Sequence, residues 1–208
     1  LKSLIQYAFQ TKNEMTLAVS APGSAGMETC FVNLVEPGEK VIVCRNGVFG
    51  ERMRQNVERV GGVAVVVDNE WGEPVCPDKV EAALVAHPDA KFLAFVHAET
   101  STGALSDAKT LCTLAQLHDC ISIVPGLSPV SFSPKAVAKL KARTTQVQSW
   151  FLDQTLVMGY WGNGAGAKRS YHHTAPVNAL YALHESLRLL ANEGLENAWA
   201  RHRKMHLL

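Results

Sequence analysis

The chain reads as an α/β protein with a mostly parallel sheet covered by helices. Three observations predict this. Short runs of β-forming residues recur at Met15–Val19, Lys40–Cys44, Val63–Val67, Lys91–Val96 and Cys120–Val124. Amphipathic helical patterns separate them. The strand runs are almost continuously apolar rather than alternating, as strands buried on both faces must be. Ligands of such sheets bind at the carboxyl ends of the strands. Two polar segments fall there, Ser20-Ala-Pro-Gly-Ser24 and His97-Ala-Glu-Thr-Ser-Thr-Gly103.

The elements follow in order. Leu1–Phe9 has the pattern of an amphipathic helix entered in its middle, without the features of a signal peptide. Ala25–Leu34 is helical and is closed by the turn Glu36-Pro-Gly38. Gly50–Val60 ends at Gly61-Gly62. A third helix starts at Pro77-Asp78, with proline in the first turn and Val80, Ala83 and Leu84 on one face. Asp107–His118 groups Leu111, Leu114, Ala115 and Leu117. After Val124 the rhythm changes. Pro125–Ser133 is one more strand and Pro134–Ala142 a short basic helix. Trp150–Trp161 is apolar and aromatic, and Gly162–Gly166 is loose. From Pro176 the pattern is a long helix with Leu180, Leu183, Leu187 and Leu190 at helical spacing and a break at Asn192-Glu-Gly194. Residues 1–175 are expected to form one large domain, and 176–208 a helix leading toward a small domain beyond the chain. Both ends read as those of a fragment.

Composition narrows the function classes. The chain has 208 residues, 47% hydrophobic and 19% charged, with a net charge of +1. That balance suits a globular domain and argues against a nucleic-acid surface. No apolar run approaches the ~20 residues of a membrane span. The five cysteines are odd in number and lie mostly in apolar runs, which reads as buried free thiols in a reducing compartment. An intracellular, soluble protein is expected; peroxisome, mitochondrion and cytoplasm stay open.

The chemistry concentrates in the first strand–turn–helix. Met15–Ser20 turns through Ala-Pro-Gly-Ser24 directly into a helix, presenting unpaired N–H groups and a positive dipole end, which suits phosphate. A tight turn with an ordinary N-cap would look the same in isolation. Other patterns weigh less. His97-Ala-Glu99 matches the His-x-Glu of zinc deaminases, but their Pro-Cys-x-x-Cys is missing. His202 and His206 stand four apart on a helix among Arg201, Arg203 and Lys204, a solvated basic face. Gly162–Gly166 before Lys168 does not spell a phosphate loop. A nucleotide-binding module would find an acidic ribose partner only in Asp68. No metal ligand set is assigned.

Taken together, SAPGSAGME (20–28), EPGEKVIV (36–43), NGVFGER (46–52), HAETSTG (97–103), PGLSPVSFS (125–133), YWG (160–162), YHHTAPVNALYALHESL (171–187) and EGLENAWARH (193–202) resemble one family. It is the class V aminotransferases that use pyridoxal 5'-phosphate, in the alanine–glyoxylate / serine–pyruvate branch. The resemblance implies a fold-type I large domain, here incomplete. It also implies transfer of an amino group from alanine or serine to glyoxylate or pyruvate, with small amino acids and 2-oxo acids as substrates. A 3-hydroxykynurenine-type transaminase is the nearest relative reading. Gly23 and Ser24 would hold the cofactor phosphate, Phe49 the ring face and Thr100 the ring substituents. Tyr171 and Thr174 would reach the phosphate of a neighbouring subunit in a homodimer with a shared site. Neither nucleic acid nor membrane is implied as a partner. Pro22 departs from the pattern and removes one possible N–H donor.

Two groups of the family's chemistry have no counterpart in the chain as written: the Schiff-base lysine and the aspartate that keeps the pyridine nitrogen protonated. The family places both between the strand ending at Val124 and the segment that begins at Pro125. A piece about two strands long is expected to be missing at that junction. Lys12, Lys40, Lys79, Lys91, Lys109, Lys135, Lys139, Lys141 and Lys168 fall near turns, helix surfaces or the glycine loop. None is nominated. A non-catalytic fragment or pseudoenzyme is therefore the alternative of a different class.

Overall fold

The computed structural model describes residues 1–123, 128–162 and 169–207. Its central sheet has four parallel strands in the order β3 (Val63–Asp68), β2 (Lys40–Arg45), β4 (Phe92–Ala94), β7 (Ile121–Ile123). Helices α2 (Gly23–Leu34), α3 (Val48–Arg59), α4 (Pro77–Ala86) and α5 (Ala108–Leu117) cover it. Strand β2 shows why its sequence lacks alternation. Val41 and Val43 pack into one core with Phe31, Met53 and Phe92, whereas Ile42 and Cys44 pack into a second with Leu84, Leu93 and Leu111. Successive side chains of one strand enter opposite cores, so every position is apolar.

β1 (Met15–Ala18) lies outside this sheet. It pairs antiparallel with β8 (Pro129–Phe132), and the Thr16 and Ser131 hydroxyls meet across the pair at 2.9 Å. The expected strand at 125–133 is thus shorter and runs against β1; Val124–Leu127 lie outside the described residues. Among the described residues the outer edges of β7 and β8 have no partner strand.

The remaining elements are α1 (Lys2–Ala8), α6 (Pro134–Lys141), α7 (Gln154–Trp161), α8 (Val177–Glu193) and α9 (Leu195–His206). The sequence marks Trp150–Trp161 only as apolar; the structure makes its second part a helix. Asp153 caps it by accepting from the Thr155 N–H at 2.8 Å. Buried Asn33 fastens α2 to the same turn, donating to the Leu152 carbonyl and accepting from the Gln154 N–H, both at 2.8 Å. The break before α9 falls at Gly194, whose φ of +84° favours glycine. The polar segment at 97–103 folds into a small hairpin, β5 (Ala98–Glu99) with β6 (Ala104–Leu105), which the sequence reading did not foresee.

Candidate functional site

The first helical residue of α2 is Gly23, preceded by Pro22, which supplies no side-chain cap. The first-turn amides of Gly23 and Ser24 have no acceptor four residues back, as at any helix start. The Ser24 hydroxyl accepts from Arg52 Nη1 at 3.3 Å, and the Arg52 guanidinium lies 4.9 Å over the Phe49 ring. Arg52 therefore joins the opening turns of α2 and α3 and places a cation beside Ser24. The sequence reading passed over Arg52; its position within NGVFGER was the available signal.

A buried carboxylate fixes Phe49 in turn. Glu99 Oε2 accepts from the backbone N–H groups of Phe49 (3.1 Å) and Gly50 (3.2 Å), at the positive end of α3. Its Oε1 accepts from the Ser101 N–H (3.2 Å) and hydroxyl (2.6 Å). Glu99 is fully buried, so these bonds supply its solvation. Gly47 leaves room for it: a Cβ there would stand 2.4 Å from Glu99 Cγ. Thr100, the next residue, stays exposed at the hairpin tip. Glu99 is the positioning residue that sequence reasoning missed, because its neighbours in the fold lie some fifty residues away.

Tyr171 and Thr174 meet through their hydroxyls at 3.1 Å, and Tyr171 is 77% exposed. Their segment reaches the turn after β1 through His173, whose Nε2 lies 2.7 Å from Ser20 Oγ. The structure thus links Ser24, next to Gly23, with Phe49 through Arg52, attaches Thr100 through Glu99, and ties the 171–174 segment to the same turn. The remaining candidates behave as surface or framework. His202 Nδ1 bonds the Ala198 carbonyl at 2.7 Å, and no cluster with metal-ligand character occurs among the described residues. Asp68 pairs with Arg45 at 2.6 Å. Burial pushes the Cys44 thiol up to about 12, so it is inert as a nucleophile.

Whether these residues fit pyridoxal phosphate separates into two halves. The phosphate half fits: uncapped amides, a hydroxyl and a guanidinium converge at one helix start. For the covalent half, no lysine among the described residues is hydrogen-bonded to Ser24, Arg52 or Glu99. Lys40 and Lys91 lie at the amino ends of β2 and β4; Lys2, Lys135 and Lys139 are paired with Glu14, Asp119, and Glu36 with Glu39. Lys79 donates to the Asp68 carbonyl at the edge strand β3. Lys168 lies outside the described residues.

No protein-family model matches the chain. Solved structures define the class: over 98% of its length the chain superposes on an alanine–glyoxylate aminotransferase from Nostoc sp. with a TM-score of 0.92 and 37% identity. It also superposes on the ureidoglycine–glyoxylate aminotransferase of Bacillus subtilis, with a TM-score of 0.91 and 26% identity over 97% of the chain. The fold is that of the class V, fold-type I aminotransferases. By sequence it is a homologue of the alanine–glyoxylate aminotransferases in particular, 35% identical to the rabbit (Oryctolagus cuniculus) protein over 99% of the chain. The rat (Rattus norvegicus) protein is also 35% identical, over 98% of the chain. The chain spans about 60% of the length of the rabbit and Nostoc proteins.

Proposed function

We propose that the chain is a cofactor-binding large domain of a pyridoxal-phosphate aminotransferase acting on small amino acids and 2-oxo acids, alanine or serine with glyoxylate or pyruvate. The observation that carries this is the meeting of Gly23, Ser24, Arg52 and Phe49 at the carboxyl ends of β1 and β2. When bound, the cofactor supplies an electron sink that lets an amino group move between carbon skeletons. The chain's own residues would bind and orient it. The Gly23 and Ser24 amides and the Ser24 hydroxyl would take the phosphate, with the α2 dipole and Arg52 favouring its charge. Phe49 would lie against the ring, worth about 1 kcal/mol of orientation. Thr100 would bond the ring substituents, held in place by Glu99. Tyr171 and Thr174, exposed and paired with each other, would reach the phosphate of a second copy across a homodimer.

A specific observation favours a second reading, in which this chain binds without turning over. The alignment with the rabbit protein spans 237 positions against the chain's 208 residues, so at least 29 positions of the relative face gaps. The edges of β7 and β8, unpartnered among the described residues, flank the junction where the anchoring lysine and the pyridine-binding aspartate are expected. Pyridoxal phosphate titration followed by borohydride reduction and peptide mass mapping separates the two. For the chain as written the expected result is saturable, reversible binding with no single labelled lysine. Stoichiometric labelling of one lysine, with amino transfer to glyoxylate, would establish the enzyme. Transfer from 3-hydroxykynurenine instead would assign the relative reading. Absence of any saturable binding would overturn both.

A further inference from the structure

Four groups form a line of hydrogen bonds that the proposed function does not use. Ser20 Oγ lies 2.7 Å from His173 Nε2, and His173 Nδ1 lies 2.7 Å from His172 Nδ1. His172 Nε2 faces the Trp150 carbonyl at 3.4 Å. His172 is only 6% exposed and stacks on the Trp150 ring at 4.4 Å. Phe151 meets His173 edge-on at 5.1 Å, and Tyr160 lies 5.3 Å from it.

The partners dictate where the protons are. A carbonyl only accepts, so His172 carries its proton on Nε2 and, when neutral, presents a bare Nδ1. His173 must then donate from Nδ1, which leaves its Nε2 bare, and the Ser20 hydroxyl donates to that atom. One proton sits between the two facing Nδ1 atoms. A first added proton can be accommodated at His173 Nε2, with Ser20 turning to accept. A second would set two N–H groups head to head at 2.7 Å, and the pair must part.

The pair is also what holds its segment. Between Ser170, whose N–H reaches the Gly159 carbonyl, and Leu180, whose N–H reaches the Pro176 carbonyl, no backbone amide before α8 finds a backbone acceptor among the described residues. The Tyr171–Thr174 arm is fastened to the β1–α2 turn by side chains, chiefly these two rings.

We propose that His172 and His173 are positioning residues that form a one-proton latch: they hold the arm carrying Tyr171 and Thr174 beside the β1–α2 turn while at most one ring is charged, and release it when both are. The latch itself needs no ligand; its consequence for phosphate binding rests on the function proposed above. The groups facing the pair are Ser20, Trp150, Phe151, Tyr160 and Tyr171. Among the described residues no carboxylate or cation pairs with either ring. Burial and the neighbouring His172 both lower the His173 pKa from its ordinary value, in keeping with a neutral resting state.

Backbone 13C chemical shifts of residues 171–175 in the full chain, which report the released fraction without needing a hydrogen-bonded amide, test this between about pH 8 and about pH 5, spanning the ordinary histidine range. Opening of the arm is expected to rise about tenfold per pH unit once the second proton binds. His173→Gln is the discriminating variant. Its amide can accept from Ser20 and donate to His172 but cannot charge, so the arm should stay closed and the pH step vanish. His173→Ala should expose the arm at every pH. The latch is overturned if the wild type shows no step, or if His173→Gln keeps the same one. A parallel titration with pyridoxal phosphate reads the functional consequence separately. A chemical-shift step without a matching loss of affinity would sustain the latch and count against the arm's phosphate role.

Discussion

Glu99 and Gly47 form a matched pair: a carboxylate serving four donors, and the absence of a side chain that makes space for it. Glu99→Gln turns one acceptor oxygen into a donor; with that NH2 facing Ser101, whose hydroxyl can turn to accept, the Ser101 N–H is still stranded. A loss of about 2–3 kcal/mol is expected in urea unfolding, with weaker pyridoxal phosphate binding. Gly47→Ala crowds the same carboxylate and is expected to cost about 1–3 kcal/mol by the same measurement. Other carboxylates govern the acid limb. For Glu36 burial raises the pKa, but Lys139 and the Thr144 and Thr145 donors outweigh it and hold the carboxyl well below its usual range. Arg54, Arg45 and Gln55 lower Glu51 to about 2. Both folded values lie below the ordinary 4.5, so their contribution is complete above that value and is lost as pH falls through it toward about 2. A pH series of urea midpoints should fall across that window, and less steeply in Glu36→Gln. At this scale the sequence was uneven. Gly23 and Ser24 could be read because turn, glycine and helix start are local. Glu99 and the His173–Ser20 bond could not, since they join residues 49 to 153 positions apart; Arg52 had its place in NGVFGER as a signal, but its bond to Ser24 spans 28 positions.

Among the elements, those with strong local pattern were legible. Four parallel strands and the helices between them stand within a residue or two of their expected bounds. Continuous apolarity announced burial on both faces, and β2 bears that out by sending Val41 and Ile42 into opposite cores. The hairpin β5–β6 escaped notice because two-residue strands of polar composition carry no period. The antiparallel union of β1 with β8 escaped because it joins positions 15–18 to 129–132, a pairing that no local signal encodes. The architecture orders local stability. Amides of Val41–Val43, flanked by β3 and β4, should exchange slowest in native-state hydrogen exchange. Those of β8, paired only with β1, should open with distinctly lower free energy.

At the scale of the whole molecule, α8 has no buried residue, and Val177, Tyr181 and Leu189 on it are each more than half exposed. Apolar surface of this kind along a 17-residue helix marks a contact face. The homodimer proposed above gives it a use, and sedimentation equilibrium of the purified chain should show a dimer that Tyr181→Asp weakens at least tenfold. No helix among the described residues is long and apolar enough to cross a membrane.

The flanks of β7 and β8, bare among the described residues, carry a practical consequence. A ribbon with unused donors and acceptors recruits whatever extended peptide it meets, and neighbouring molecules supply the commonest one. Crowding, more than heat, should then limit the handling of this polypeptide. Turbidity ought to climb with protein content at constant temperature, and a proline placed at Ser122 to blunt one ribbon ought to slow that climb.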